Sequence, residues 1–207
     1  MKKVYIFSDG GSQNNGGKEK DKEVLGSYAF LLVNEDKKII KEKSNIFHDV
    51  TNNQMELFGF IDAAITFLSN YNFKNKNKYQ IVVYSDSQYL IKGITEWMPN
   101  WIKNNWKTAS KKKVENVDLW MIINDIVHLP TNLISFKFLW CKGHNGKSTS
   151  INDDYVTFFN ENCDSLCTKE IMDYNSPNKL YILQDFKEVL AVRRDALHKV
   201  LQIFQRR

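Results

Sequence analysis

The sequence predicts an α/β fold built on a mixed sheet, and three observations carry that expectation. Val4-Tyr5-Ile6-Phe7 and Ile81-Val82-Val83-Tyr84 are unbroken runs of β-branched and aromatic residues, the composition of strands buried on both faces. Each run ends in Ser-Asp (Ser8-Asp9 and Ser85-Asp86) with a helical pattern between them, the arrangement of parallel neighbours in one sheet. Two further strand-like segments, Leu25 to Val33 and Ile39 to Phe47, follow the first strand, joined by the turn-forming Asn34-Glu35-Asp36-Lys37. Three consecutive strands read as an antiparallel meander.

The helices follow from periodicity. Thr51 with Gln54 three residues on is a capping-box pattern, and Phe58, Ile61, Ile65 and Leu68 then repeat along one helix face. Glu56 is expected in the first turn, where a carboxylate has a structural use in complementing the helix dipole. Ser87 to Gly93 reads as a short helix closed by Gly93, and Val114 to His128 as a longer one with Trp120, Ile123 and Val127 on one face. Ile134 to Trp140 alternates apolar side chains at every second position, a strand with one buried face. A glycine-bracketed loop, Cys141-Lys142-Gly143-His144-Asn145-Gly146, leaves it, and a last domain helix starts near Tyr155. The order is three strands, helix, strand, helices, strand, helix. From Asp173 the character changes. The breaker cluster Asn175-Ser176-Pro177-Asn178 precedes an amphipathic stripe of Phe186, Val189, Leu190, Leu197, Val200, Leu201 and Phe204 among basic residues.

Composition bounds the function classes. The chain has 207 residues, 43% of them hydrophobic and 13% aromatic, ample for a core of one domain and an appendage. No run of eighteen apolar residues occurs, so no membrane partner is expected. The first strand begins at the N-terminus and leaves no room for a signal peptide, and three cysteines are an odd number for a disulfide framework; a cytoplasmic protein is expected. Cys163 and Cys167 share a helix face but have no partner at zinc-site spacing. A net charge of +5 is mild, so its distribution matters more than its size.

Three features carry chemistry. Asp9 and Asp86 would sit side by side at the carboxyl ends of neighbouring strands, where ligands of open α/β sheets bind. Adjacent carboxylates repel unless a cation or a shared proton compensates, so the pair points to a metal, although either residue alone would serve as a helix cap or turn former. The stretch from Trp97 to Lys113 alternates three tryptophans with five lysines and contains no acid. Indoles offer stacking or packing surfaces and lysines attract phosphate, so this segment reads as a nucleic-acid surface or, alternatively, as tryptophans packed inward beneath solvated lysines. His144, between glycines, suits proton transfer.

These blocks together resemble type 1 ribonuclease H. The resemblance runs from Lys3 to about Lys169 and rests on Ser8-Asp9-Gly10-Gly11, Thr51-Asn52-Asn53-Gln54-Met55-Glu56-Leu57 and Ser85-Asp86-Ser87-Gln88-Tyr89. Lys107-Thr108, Asn116-Val117-Asp118-Leu119-Trp120, Lys142-Gly143-His144-Asn145-Gly146 and Asn160-Glu161-x-x-Asp164 complete it. It implies a ribonuclease H-like fold: a five-stranded mixed sheet, its first three strands antiparallel and the rest parallel, flanked by helices, with a catalytic domain over residues 1–172, a basic protrusion over about 95–114 and a C-terminal helical extension over 173–207. It implies endonucleolytic hydrolysis of the RNA strand of RNA/DNA hybrids with two Mg²⁺ ions, or Mn²⁺, leaving 5′-phosphate and 3′-hydroxyl ends. Asp9, Glu56, Asp86 and Asp164 are the implied metal ligands, and His144 the implied proton carrier. Asn15, Asn52 and Asn53 would line the RNA strand. Thr51 and Asn116 would hold a DNA phosphate, and Trp97, Trp101, Lys111, Lys112 and Lys113 would grip the DNA strand. The sequence departs from the family in a long interval between His144 and Asp164, with residues 147–159 as an insertion, and in an enlarged loop at 16–23. A monomer is expected, with dimerisation through the C-terminal helix as the alternative.

Overall fold

The computed structural model describes residues 1–13, 24–71, 77–143, 154–176 and 183–205. Five strands, β1 (Lys2–Gln13), β2 (Leu25–Val33), β3 (Ile39–His48), β4 (Tyr79–Ser85) and β5 (Ile134–Trp140), form one sheet in the order β3-β2-β1-β4-β5. β1 runs antiparallel to β2 and parallel to β4, β2 antiparallel to β3, and β4 parallel to β5. The expected fold class is therefore the observed one.

Helices cover both faces. Side chains alternate across a strand, so Val4 and Ile6 of β1 face α1 (Asn52–Ser69) in the larger core, whereas Phe7 faces Phe159 and Cys163 of α5 (Tyr155–Tyr174) in a smaller one. Every residue of β2 is buried, as both layers require. The capping box at Thr51 forms in full: its hydroxyl accepts from Gln54 N–H and the Gln54 side chain accepts from Thr51 N–H. Trp120 of α4 (Val117–Val127) is fully buried in the larger core.

Several boundaries differ from expectation. Gly93 does not close the helix α2 (Gln88–Lys92); its backbone stays right-handed and the chain continues through a π-helical turn, Gly93–Trp97, into α3 (Met98–Lys103). The glycine is needed for another reason, since a Cβ there would lie 2.0 Å from the Trp120 ring. α4 begins three residues later than the pattern implied, after Asn116 adopts φ 54°. The last domain helix starts at Tyr155 as expected, with Asp154 as its N-cap, so the part of the 147–159 insertion from 155 on is helical.

The C-terminal stripe is covered within the chain. Leu190, Leu197, Val200 and Phe204 of α6 (Phe186–Gln205) are buried in the larger core, and Phe186 packs edge-on against Phe47 and Phe58. The contact has an ionic centre. Asp62, on α1 and fully buried, accepts from Tyr28 Oη at 2.6 Å and Lys43 Nζ at 2.8 Å, and Arg193 Nε of α6 lies 2.6 Å from its other oxygen. A buried carboxylate is tolerable when it is paired with cations, as here with Lys43 and Arg193, although the Arg193 contact is an ion pair without hydrogen-bond geometry at Oδ1. Because the Tyr28 and Lys43 contacts survive its loss, Arg193→Ala is expected to cost about 2 kcal/mol, less than the roughly 3–5 kcal/mol of a buried charge left without a partner. Urea unfolding checks this; an unchanged midpoint would show that the apolar stripe alone docks α6.

Candidate active site

Strand parity places the first two carboxylates. Asp9 shares the face of Tyr5 and Phe7, and Asp86 follows β4 in step with Tyr84, so both belong to the α5 side just past the point where the parallel β1–β4 ladder stops; β1 does not end at Asp9 as expected but runs on to Gln13, paired with β2. α5 supplies the third. Asn160, Cys163 and Cys167 form its buried stripe, and Asp164 lies on the same face. The fourth, Glu56, comes from the opposite layer, which requires β1 and α1 to touch. They do so at Gly10, where a Cβ would lie 2.3 Å from Glu56 N and 2.4 Å from the Met55 carbonyl carbon. Glu56 stands in the second turn of α1, and the first turn contains no acid. The dipole account fades beyond the first turn, so this position favours the functional reading.

The gathering shows in the pKa of Asp9. Burial first, then Asp86, Asp164 and Glu56, raise it from its ordinary 3.8 to about 8, while a hydrogen bond from Gly10 N–H opposes the shift. Glu56 is also raised, chiefly by burial, against hydrogen bonds from Ser87 and Asn52. Ser87 Oγ donates to Glu56 Oε2, and Asn52 Nδ2 to Oε1 at 2.9 Å. Asp86 is hemmed in by the chain leaving β5. Trp140 Nε1 donates to the Asp86 carbonyl at 3.0 Å, and a Cβ on Gly143 would lie 2.2 Å from Asp86 Oδ2. Asn160 Nδ2 lies 3.4 Å from that same oxygen.

Among the described residues no group of three or more His, Cys, Asp or Glu side chains is placed to hold a metal ion. The donor set still fits a small hard cation. Mg²⁺ is held by one or two carboxylates with water and substrate phosphate filling the remainder, and the charge repulsion around Asp9 calls for a positive partner.

The structure unites Asp9, Glu56, Asp86 and Asp164, and joins Asn52 to Glu56. His144 and Asn15 lie outside the described residues. Asn53 is half-buried beside Asn52 at the start of α1. Thr51 is engaged in the capping box, and Asn116 Nδ2 reaches Tyr89 Oη at 3.4 Å, which also accepts from Trp120 Nε1 at 3.1 Å. Trp97 and Trp101 are half-buried in an aromatic row running Tyr89, Trp97, Trp101, Trp120. Lys111, Lys112 and Lys113 are fully outside it, on a small hairpin closed by the Lys107–Lys113 bridge and by Thr108 N–H to Lys112 C=O at 2.8 Å. Ser87, Trp140, Cys141 and Asn160 were not anticipated. Ser87 and Asn160 had a signal, as neighbours of Asp86 in sequence and of Asp164 one helical turn away.

Asp9 sets a pH dependence. Its pKa is higher in the folded protein than in the unfolded chain, so the stability it contributes is present at low pH and lost as pH rises through about 8. Without divalent cations the melting temperature is expected to fall between about pH 4 and about pH 8, less so in Asp9→Asn. Thermal melts in chelator across that window check it, and parallel profiles for the two proteins would refute it.

A sequence model of the RNase H family matches residues 1–172. Ribonuclease H of Clostridium botulinum is 35% identical over 176 residues, covering 84% of this chain and 99% of that protein. Ribonuclease H of Blochmanniella floridana is 39% identical over 168 residues, covering 81% and 83%. Among solved structures, LC9-RNase H1, described as a type 1 RNase H with the type 2 active-site motif, superposes with TM-score 0.60 at 20% identity over 94% of this chain and 85% of that one. LC11-RNase H1 in complex with RNA/DNA hybrid superposes with TM-score 0.58 at 17% identity over 84% and 99%. With its sheet order, its crowded carboxylates and these relatives, the chain belongs to the ribonuclease H family and is a ribonuclease H enzyme.

Proposed function

We propose that the protein is an endonuclease that hydrolyses the RNA strand of RNA/DNA hybrids, and that residues 1–172 are its catalytic domain and 173–207 an extension. The observation that carries this reading is the crowding of four carboxylates from four separate elements around Asp9. Asp9, Glu56, Asp86 and Asp164 would hold two Mg²⁺ or Mn²⁺ ions, with Asp9 shared, Glu56 and Asp86 on the leaving-group side and Asp164 on the water side. Bound there, such ions supply charge neutralisation, an activated water and stabilisation of the leaving 3′ oxygen. Products would carry 5′-phosphate and 3′-hydroxyl ends.

The protein's own groups have distinct tasks. Ser87 and Asn52 hold the Glu56 carboxylate by one oxygen each, fixing its orientation. Amides both donate and accept, as a 2′-hydroxyl does, so Asn15, Asn52 and Asn53 are suited to recognising the RNA strand. Thr51 and Asn116 would hold a DNA phosphate. His144 would carry a proton to the departing oxygen or aid product release. Lys111, Lys112 and Lys113 attract the DNA backbone, and Trp97 and Trp101 brace the segment carrying them while offering their outer edges to the DNA strand.

Hybrid, duplex RNA and duplex DNA assayed side by side with Mg²⁺ test the substrate class; cleavage of the hybrid's RNA strand alone is expected. Asp9→Asn is expected to abolish cleavage while hybrid binding persists, because repulsion toward phosphate falls. Near wild-type cleavage by the folded variant would sink the assignment. Replacing Lys111, Lys112 and Lys113 by alanine is expected to flatten the salt dependence of binding, by roughly 0.9 in the log–log slope for each phosphate that is no longer neutralised. An unchanged slope would return those lysines to the solvated surface.

A further inference from the structure

Asn160 stands out among the polar side chains that the proposed mechanism leaves unused. It is 2% exposed and sits in the stripe of α5 that otherwise buries Cys163 and Cys167. A buried amide is costly unless both ends are bonded. Both are, and both partners belong to the site. Nδ2 lies 3.4 Å from Asp86 Oδ2, and Oδ1 accepts from Cys141 Sγ at 3.4 Å. The thiol decides which way the amide points. Facing the carbonyl oxygen, it must donate; turning the amide over would set that oxygen against the Asp86 carboxylate and an N–H₂ against the S–H. Cys141 is itself fixed, since its N–H donates to Ser85 C=O at 3.1 Å, continuing the β4–β5 pairing beyond the strands.

We propose that Asn160, with its amide oriented by the Cys141 thiol, is a positioning residue that holds the Asp86 carboxylate in the rotamer needed to ligate a divalent cation. The proposal rests on the metal reading above and deepens it. Among the described residues, this contact is the hydrogen bond that reaches the Asp86 carboxylate. It follows the last residue of β4, Trp140 restrains its backbone, and a hydrogen bond to one oxygen removes the rotation of the carboxylate about its terminal torsion. Outer partners of this kind set the orientation of metal-binding carboxylates.

Mn²⁺ is the probe, titrated into the full-length protein and followed by electron paramagnetic resonance of the free ion. Asn160→Leu removes the donor at similar volume and is expected to raise the Mn²⁺ dissociation constant roughly tenfold. The half-saturating metal concentration for hybrid cleavage should rise in parallel, with kcat recovering at saturating metal. Cys141→Ala should weaken Mn²⁺ in the same direction, whereas Cys141→Ser, which keeps a donor, should stay close to wild type. A purely structural amide would instead lower the melting temperature and leave the affinity unchanged. Folded Asn160→Leu with wild-type Mn²⁺ affinity overturns the proposal, as does identical behaviour of Cys141→Ser and Cys141→Ala. Should Asn160→Leu fail to fold, Asn160→Ala removes the amide without added bulk and carries the same comparison. Asp86→Asn separates the two levels: if it binds Mn²⁺ as tightly as the wild type, the metal reading itself falls.

Discussion

Repulsion among carboxylates drawn to one end of the sheet is the interaction that the rest of the structure has to contain. Asp9 feels Asp86, Asp164 and Glu56 at once, on top of its own burial. In water such groups would move apart. Here each is fixed to a different rigid element: Asp9 to a strand hydrogen-bonded on both sides, Asp86 to the end of its parallel neighbour, Glu56 to a capped helix and Asp164 to a helix packed on the other face. Sites built on regular elements hold their geometry better than sites on loops. The layered fold therefore acts as a clamp, and the electrostatic strain it holds is available to offset the dehydration of a bound cation.

What could be read from the sequence follows from what has a period. The apolar runs leading to Ser8-Asp9 and Ser85-Asp86 were legible because apolar runs and alternation are local signals, and parity then puts Asp9 and Asp86 on one face without further information; that β1 continues past Asp9 depends on its pairing with β2. Glu56 was ambiguous because its distance from the helix start depends on where the cap falls, and one residue decides whether a dipole explanation applies. Gly93 looked like a terminator because glycine usually is one; its role is set by the Trp120 ring, which arrives from a later helix. The amphipathic stripe of α6 announced that something covers it, yet nothing local could identify Asp62 as the partner of Arg193. The Asn160 amide belongs to the same class, since its meaning depends on Cys141, nineteen positions earlier in the chain.

In the segment from Trp97 to Lys113 inward packing of the tryptophans and exposure of the lysines occur together. The tryptophans pack inward in part, continuing the row that begins at buried Trp120, and the lysines of the hairpin face solvent. Asn105, Trp106 and Lys111 adopt positive φ, which is unusual for such residues and bends the chain sharply enough to present adjacent lysines together. An aromatic footing with a cationic edge suits a phosphate surface, because the footing limits the freedom the lysine-bearing loop would otherwise lose on binding.

Helix α1 links the site to the extension. Glu56 near its start takes part in the carboxylate cluster, and Asp62, six residues on and so about 9 Å further along the axis, anchors Arg193 of α6. The same helix is held against the sheet by Tyr28 and Lys43 through that carboxylate. A helix carrying one member of a mutually repelling cluster is pushed outward by its own charge. Ion pairing at Asp62, reinforced by the apolar stripe of α6 in the same core, opposes that displacement. On this account α6 acts as a buttress, and its contribution to the site is mechanical, because it supplies no group to the carboxylates and fixes the helix that does.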